Sequence, residues 1–250
     1  MWKASPPKQP DVAKLRAARE KLDLFPLAIH AGYLINLASV DPAIREKSIA
    51  GFRGELERAI AIGAEFLIVH PGSYKDQTLE AGVRAFVEGL AESAKGLPTK
   101  GLTVLLENTV GSGAQIGSKF EELRAIRDAS GTVETGYCLD TCHLLAAGFD
   151  VATAAGLKKS VAEADRILGL DNVKVIHIND SKGALGSRLD RHMNIGEGQI
   201  GTEGFRGILN HPKLRKIPFV LETPIDKEGD DRRNVEALKN LCKKKSGYVK

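Results

Sequence analysis

The sequence contains no run of about 18 apolar residues, so no part of its 250 residues reads as a membrane span. The opening stretch, Met1-Trp2-Lys3-Ala4-Ser5-Pro6-Pro7, lacks the apolar core of a secretory signal. A cytoplasmic protein with no membrane partner is therefore expected. Cysteine is scarce: Cys138, Cys142 and Cys242 are too few for a disulfide framework, and the first two do not have the C-x-x-C spacing of a zinc knuckle. They read as reduced structural thiols. No Gly-rich phosphate loop opens a helix. Gly111-Ser112-Gly113 follows a predicted strand but lacks the third glycine of a dinucleotide cradle, and reads as a flexible loop. With no internal repeat, low-complexity stretch or linker, residues 1–250 read as a single domain.

What is present is ordinary for a globular protein: 42% hydrophobic and 27% charged residues. The net charge of +4 is compatible with a polyanionic partner without establishing one. Part of the excess lies in Lys243, Lys244 and Lys245, within the tail from Lys239 to Lys250, which reads as a solvated helix end rather than a nucleic-acid arm.

Short apolar runs alternate with longer helical patterns. Predicted strands are Phe25–His30, Phe66–His70, Thr103–Glu107, Gly136–Asp140, Val173–Asn179 and Pro218–Glu222. They are continuous rather than alternating, as in parallel strands covered on both faces. Predicted helices are Asp11–Leu22, Pro42–Ile62 behind the N-cap Asp41, Leu79–Gly89, Ser118–Ala129 and Val161–Leu168, with a last pair near Gly204–Leu209 and Arg233–Leu241. This rhythm predicts an α/β fold, either a (β/α) barrel or a doubly wound sheet.

The informative feature is the residue closing each strand: His30, His70, Glu107, Asp140, His177 and Glu222. All are of types that bind divalent metals. In a barrel the carboxyl ends of the strands converge on the face that carries the active site. Singly, each has an ordinary explanation: a histidine at a strand end is commonly a hydrogen-bonded loop residue, and Asp140 could cap a helix over Thr141–Ala147. Collected at one barrel mouth, they would be costly without cations to neutralise them. His143 follows Asp140 by one turn, and Asp190 and His192 are spaced to point one way in an extended segment. So many imidazoles and carboxylates suit a cluster of two or three Zn²⁺, which activates water and stabilises the charge on a phosphodiester as it breaks. Only His211 falls outside the set, and it reads as a surface residue.

These residues resemble the endonuclease IV family of apurinic/apyrimidinic endonucleases. The resemblance runs from about Trp2 to the C-terminus and is carried by His30-Ala31-Gly32-Tyr33-Leu34-Ile35-Asn36-Leu37, His70-Pro71-Gly72-Ser73 and Glu107-Asn108-Thr109. Further matches are Cys138-Leu139-Asp140-Thr141-Cys142-His143, His177-Ile178-Asn179-Asp180-Ser181-Lys182, Gly186-Ser187-Arg188-Leu189-Asp190-Arg191-His192, Ile195-Gly196-Glu197-Gly198 and Glu222-Thr223-Pro224. It implies a (β/α)8 TIM-type barrel with a trinuclear zinc site that hydrolyses the phosphodiester 5′ to an abasic site in duplex DNA and leaves a 3′-hydroxyl. One zinc would take His30, His70 and Glu107. A second would share Glu107 and add Asp140, His177 and Glu222, and a third would use His143, Asp190 and His192. A hydroxide between two ions would attack the phosphorus. Glu107, Asp140 and Glu222 are the carboxylates implied in catalysis, Glu222 by orienting or activating the nucleophile. Tyr33 matches an aromatic that enters DNA at the lesion. Packing on the barrel rim is its plainer alternative. Lys182, Arg188 and Arg191 are candidate phosphate contacts, or partners of loop carboxylates.

The family barrel has eight strands and six are readable. The match begins after the family's second strand, so the first strand, the first helix and the second strand have no counterpart. Neither has a basic residue that the family places in an early loop to enter DNA. An unclosed barrel leaves strand edges unpaired. A true start further upstream is the favoured expectation, against dimerisation or an adapted fold, and a monomer is expected. Two other readings remain open at this level: a metal-dependent sugar isomerase or epimerase on the same barrel, and an inactive metal-binding fragment.

Overall fold

The computed structural model describes residues 5–131 and 133–242. Met1–Ala4, where the resemblance starts at Trp2, and the basic run Lys243–Lys245 lie outside the described residues. The chain divides into two units, one up to Cys138 and one from Leu139 onward.

In the first unit, helices α1 (Gln9–Leu22), α2 (Pro42–Ile62), α3 (Leu79–Ala94) and α4 (Phe120–Ala129) alternate with strands β1 (Ala28–His30), β2 (Phe66–Val69), β3 (Thr103–Glu107) and β4 (Thr135–Asp140). Consecutive strands pair in parallel, with Ile29 opposite Leu67, Leu67 opposite Val104 and Glu107 opposite Cys138. Every residue of β3 is buried, which is why the strand reads as an unbroken apolar run ending in a carboxylate. The boundaries of α2 follow from local chemistry. The Asp41 carboxylate accepts the N–H groups of Ala43 and Ile44, Pro42 supplies a first-turn φ, and Gly63 ends the helix in the left-handed region at φ 71°. Phe52, Leu56 and Ala59 recur at helical spacing and are fully buried. Burying side chains such as Phe52 and Leu56 contributes on the order of 1.5–3 kcal/mol each. Helix α1 is tied down by Arg19, which donates to the Gly63 carbonyl at 2.8 Å and pairs with Glu65 at 2.7 Å.

The second unit holds helices α5 (Thr141–Ala147), α6 (Ala154–Leu168), α7 (Gly201–Asn210) and α8 (Asp230–Leu241). Strands β5 (Val173–His177) and β8 (Phe219–Val220) pair in parallel, while β6 (Asp180–Ser181) and β7 (His192–Met193) form a short antiparallel ladder. The turn after β7 folds around one buried carboxylate. Asp180 accepts main-chain N–H groups from Ser181, Gly196, Gly198 and Ile200 at 2.8–3.0 Å. A Cβ at position 198 would collide with that carboxylate, so Gly198 is required there.

All six predicted strands occur, Thr103–Glu107 with its predicted bounds and the other five with altered ends. The first begins at Ala28 rather than Phe25, because Pro26 has no N–H to give a ladder. The fifth stops at His177, with the main-chain N–H and carbonyl of Asn179 bonded to the Thr141 hydroxyl, and the last is confined to Phe219–Val220. Helix α3 runs on past Gly89 to Ala94, and α6 begins at Ala154 behind the Thr153 cap. The β6–β7 ladder is a feature that periodicity did not reveal. Among the described residues no helix is long and apolar enough to cross a membrane.

Candidate metal centre

In the first unit, β1, β2 and β3 bring together His30, His70 and Glu107. The offered atoms of all three lie within 4.8 Å of one another. Glu107 is fully buried. Its Oε2 is 2.7 Å from His30 Nε2 and 3.3 Å from His70 Nε2. The two imidazoles lie 5.2 Å apart between centroids, tilted by 45°. His30 Nδ1 is 2.8 Å from the main-chain carbonyl of Ala31. A carbonyl only accepts, so Nδ1 is the donor in this contact, and Nε2 is the ring nitrogen turned toward Glu107. Outer contacts of this type are what orient histidine ligands in metal sites.

The loop after His70 is clamped by Asn36, a residue sequence reasoning quoted but did not assign. Its Oδ1 accepts the Ser73 N–H at 3.0 Å and its Nδ2 donates to the Ser73 carbonyl at 3.2 Å. Gly72, at φ 90°, lies against that amide, and any Cβ there would collide with it.

In the second unit, Asp140 closes β4 and caps α5, its Oδ1 accepting the His143 N–H at 2.8 Å. The capping role and the ligand role were alternatives in the sequence; one oxygen caps, and both oxygens keep further lone pairs. One turn into α5, His143 Nε2 lies 3.3 Å from Asp190 Oδ1, and the His143 and His192 rings are 5.4 Å apart. His143, Asp190 and His192 form a second group whose offered atoms lie within 4.8 Å of one another. His192 reaches it because β7 pairs with β6, placing His192 opposite Ser181. Its Nδ1 is 3.0 Å from the Glu222 carbonyl. Its Nε2 is buried, makes no hydrogen bond among the described residues, and lies 3.7 Å from Asp190 and 3.8 Å from Asp140. An imidazole nitrogen left bare among carboxylates is what a cation ligand needs. His177 Nδ1 lies 3.0 Å from Glu222 Oε2.

Cys142 shares the neighbourhood of Asp140 and His192, but its thiol points to the Arg191 carbonyl at 3.7 Å. Burial, and then the Asp140 charge, push its pKa up to about 12, so it stays a protonated thiol. No cysteine among the described residues is in a disulfide.

Tyr33 lies in the loop after β1 and is 87% exposed. Lys182, Arg188 and Arg191 are exposed, and none makes an ion pair among the described residues. Their loop is moored to α5: the Gly186 and Arg188 N–H groups donate to the Leu145 and Ala146 carbonyls, both at 2.9 Å, with Arg188 at φ 55°. His211 is half-buried rather than a plain surface residue, and burial, then Lys213, lower its pKa.

The family described as xylose isomerase-like TIM barrel matches residues 1–244. A protein of Solibacter usitatus named "Probable endonuclease 4" is 58% identical over 245 residues, covering 97% of this chain and 84% of its own. One of the same name from Halothermothrix orenii is 42% identical, covering 89% of this chain and 80% of its own. The crystal structure of endonuclease IV from Thermus thermophilus superposes with a TM-score of 0.84 at 35% identity, covering 96% of this chain and 84% of that one. A D-tagatose 3-epimerase-like protein, at 20% identity and a TM-score of 0.67, shares the fold alone.

Proposed function

Because the chain belongs to the endonuclease IV family of xylose isomerase-like TIM barrels, we propose that it is a zinc-dependent endonuclease that hydrolyses the phosphodiester 5′ to an abasic site in duplex DNA, leaving a 3′-hydroxyl. The reading includes a monomer that works in base excision repair in the cytoplasm. The observation that carries it is the bare, buried Nε2 of His192, held toward Asp190 and Asp140 by the bond from Nδ1 to the Glu222 carbonyl.

The donor set fits zinc, since imidazole nitrogen with carboxylate oxygen is its usual coordination in hydrolytic sites. The proposed ligands are His30, His70, Glu107, Asp140, His143, His177, Asp190, His192 and Glu222. When bound there, zinc supplies Lewis acidity toward the phosphate and lowers the pKa of water.

The protein's own groups divide the remaining work. Glu222 is the carboxylate that orients the attacking water and takes its proton, with Glu107 and Asp140 as the other catalytic carboxylates. As the water oxygen bonds to phosphorus, the bond to the 3′ oxygen breaks; that oxygen takes a proton from solvent to become the 3′-hydroxyl, and the phosphate stays on the 5′ side of the abasic sugar. Lys182, Arg188 and Arg191 neutralise backbone phosphates and set the register of the duplex. Tyr33 inserts where the base is missing, since opening the stack costs least there.

The test is incision of an end-labelled duplex carrying a single abasic site. Cleavage on the 5′ side, loss of it after exhaustive chelation and recovery with zinc are expected. Equal cutting of intact duplex, or full activity after chelation, contradicts the proposal.

A further inference from the structure

Asn179 is fully buried two residues beyond the end of β5, and its side-chain amide spans two of the proposed ligands. Nδ2 donates to Asp140 Oδ2 at 2.6 Å, and Oδ1 accepts the main-chain N–H of Glu222 at 2.7 Å. The amide can sit only one way round, because the Glu222 N–H can only donate and the Asp140 carboxylate accepts. The main chain of Asn179 is fixed just as firmly. Thr141 Oγ1 donates to its carbonyl at 2.7 Å and accepts its N–H at 2.9 Å.

Glu222 needs such an anchor. The ladder between β5 and β8 is two residues long, and the last main-chain bond on that side runs from the Ile178 N–H to the Val220 carbonyl at 2.8 Å. Beyond Val220 the chain has no regular structure up to Asp226. Across that gap Glu222 is located by Asn179 on its N–H and by His192 on its carbonyl. Asp140, in turn, has its Oδ1 held by the N–H of His143 and its Oδ2 by Asn179.

We infer that Asn179 is a positioning residue that fixes Asp140 and Glu222 relative to each other as metal ligands. The inference rests on the zinc reading above. Partners in the outer shell of metal sites commonly carry 10–100-fold in metal affinity, and here one amide serves two carboxylate ligands.

Two substitutions separate its functions. Asn179→Asp keeps an acceptor for the Glu222 N–H but sets a carboxylate oxygen against Asp140. Asn179→Ala removes both contacts. Zinc-loaded wild type and variants are compared by competition with a chelating dye, and cobalt-substituted samples by their visible d–d bands. About 10–100-fold weaker retention of part of the zinc, with altered cobalt bands, is expected for both variants, while the remaining zinc is held as in wild type. Wild-type retention with an unchanged cobalt spectrum in either folded variant overturns the inference. A wild-type chain that holds no zinc at all overturns the underlying zinc reading instead. If Asn179→Ala does not fold, Asn179→Asp carries the test, since it has the same size and keeps the Thr141 and Glu222 contacts.

Discussion

The carbonyl oxygen of Glu222 lies 3.0 Å from Nδ1 of His192, and this contact decides which face of the imidazole is left for a cation. The carbonyl accepts, Nδ1 carries the proton, and Nε2 faces Asp190 and Asp140 with its lone pair. His192→Ala should therefore lower the zinc content by about one ion per chain. Unchanged zinc content in the variant would remove His192 from the ligand set.

Tyr33 contributes little to the folded core, being 87% exposed. Tyr33→Ala should leave the melting temperature close to wild type, since exposed substitutions usually fall within about 0.5 kcal/mol. Its preference for abasic over intact duplex should fall, with zinc content unchanged. An unaltered preference takes Tyr33 out of lesion recognition.

Asp180 gathers five main-chain N–H groups, from Ser181, Gly196, Gly198, Ile200 and Gly201. Asp180→Asn would turn an N–H₂ toward some of those donors. The expected destabilisation is about 3 kcal/mol, the scale of a charge-assisted bond replaced by unsatisfied donors, read from the urea midpoint. A midpoint equal to wild type contradicts the role given to this carboxylate.

These predictions differ in how much of their basis is visible in the sequence. The ends of α2 are written in Asp41, Pro42 and Gly63, because caps act locally. The strand-end imidazoles and carboxylates are equally visible, since each closes a short, mainly apolar run, as Glu107 does in the fully buried β3. Asn179 and Asp180 stand inside a quoted motif, yet their work could not be read there. Their partners, Asp140, Glu222 and the turn 196–200, are distant in the chain and meet only through tertiary packing. The β6–β7 ladder is too short to carry any periodicity, and Pro26 sits within an apolar run that reads as strand until its missing N–H is counted.

A pH effect follows from Glu65. Burial opposes its ionisation, but the Leu27 N–H and the Arg19 guanidinium outweigh burial and hold its carboxyl below the ordinary carboxylate range. A folded-state pKa lower than the unfolded one gives stability that is present above the unfolded value and lost as pH falls through the folded one. Glu65 is partly exposed, so solvent screening keeps the contribution small. Between neutral pH and the acid range below the usual carboxylate pKa, Glu65→Gln should lose less melting temperature than wild type does. Equal acid slopes would contradict this.

The most direct test of the strand-end residues as metal ligands is elemental mass spectrometry on the chain after gel filtration. The proposed ligands predict about three zinc ions per chain. A well-folded chain that holds none, even after incubation with zinc, would contradict the metal site and the hydrolytic chemistry built on it.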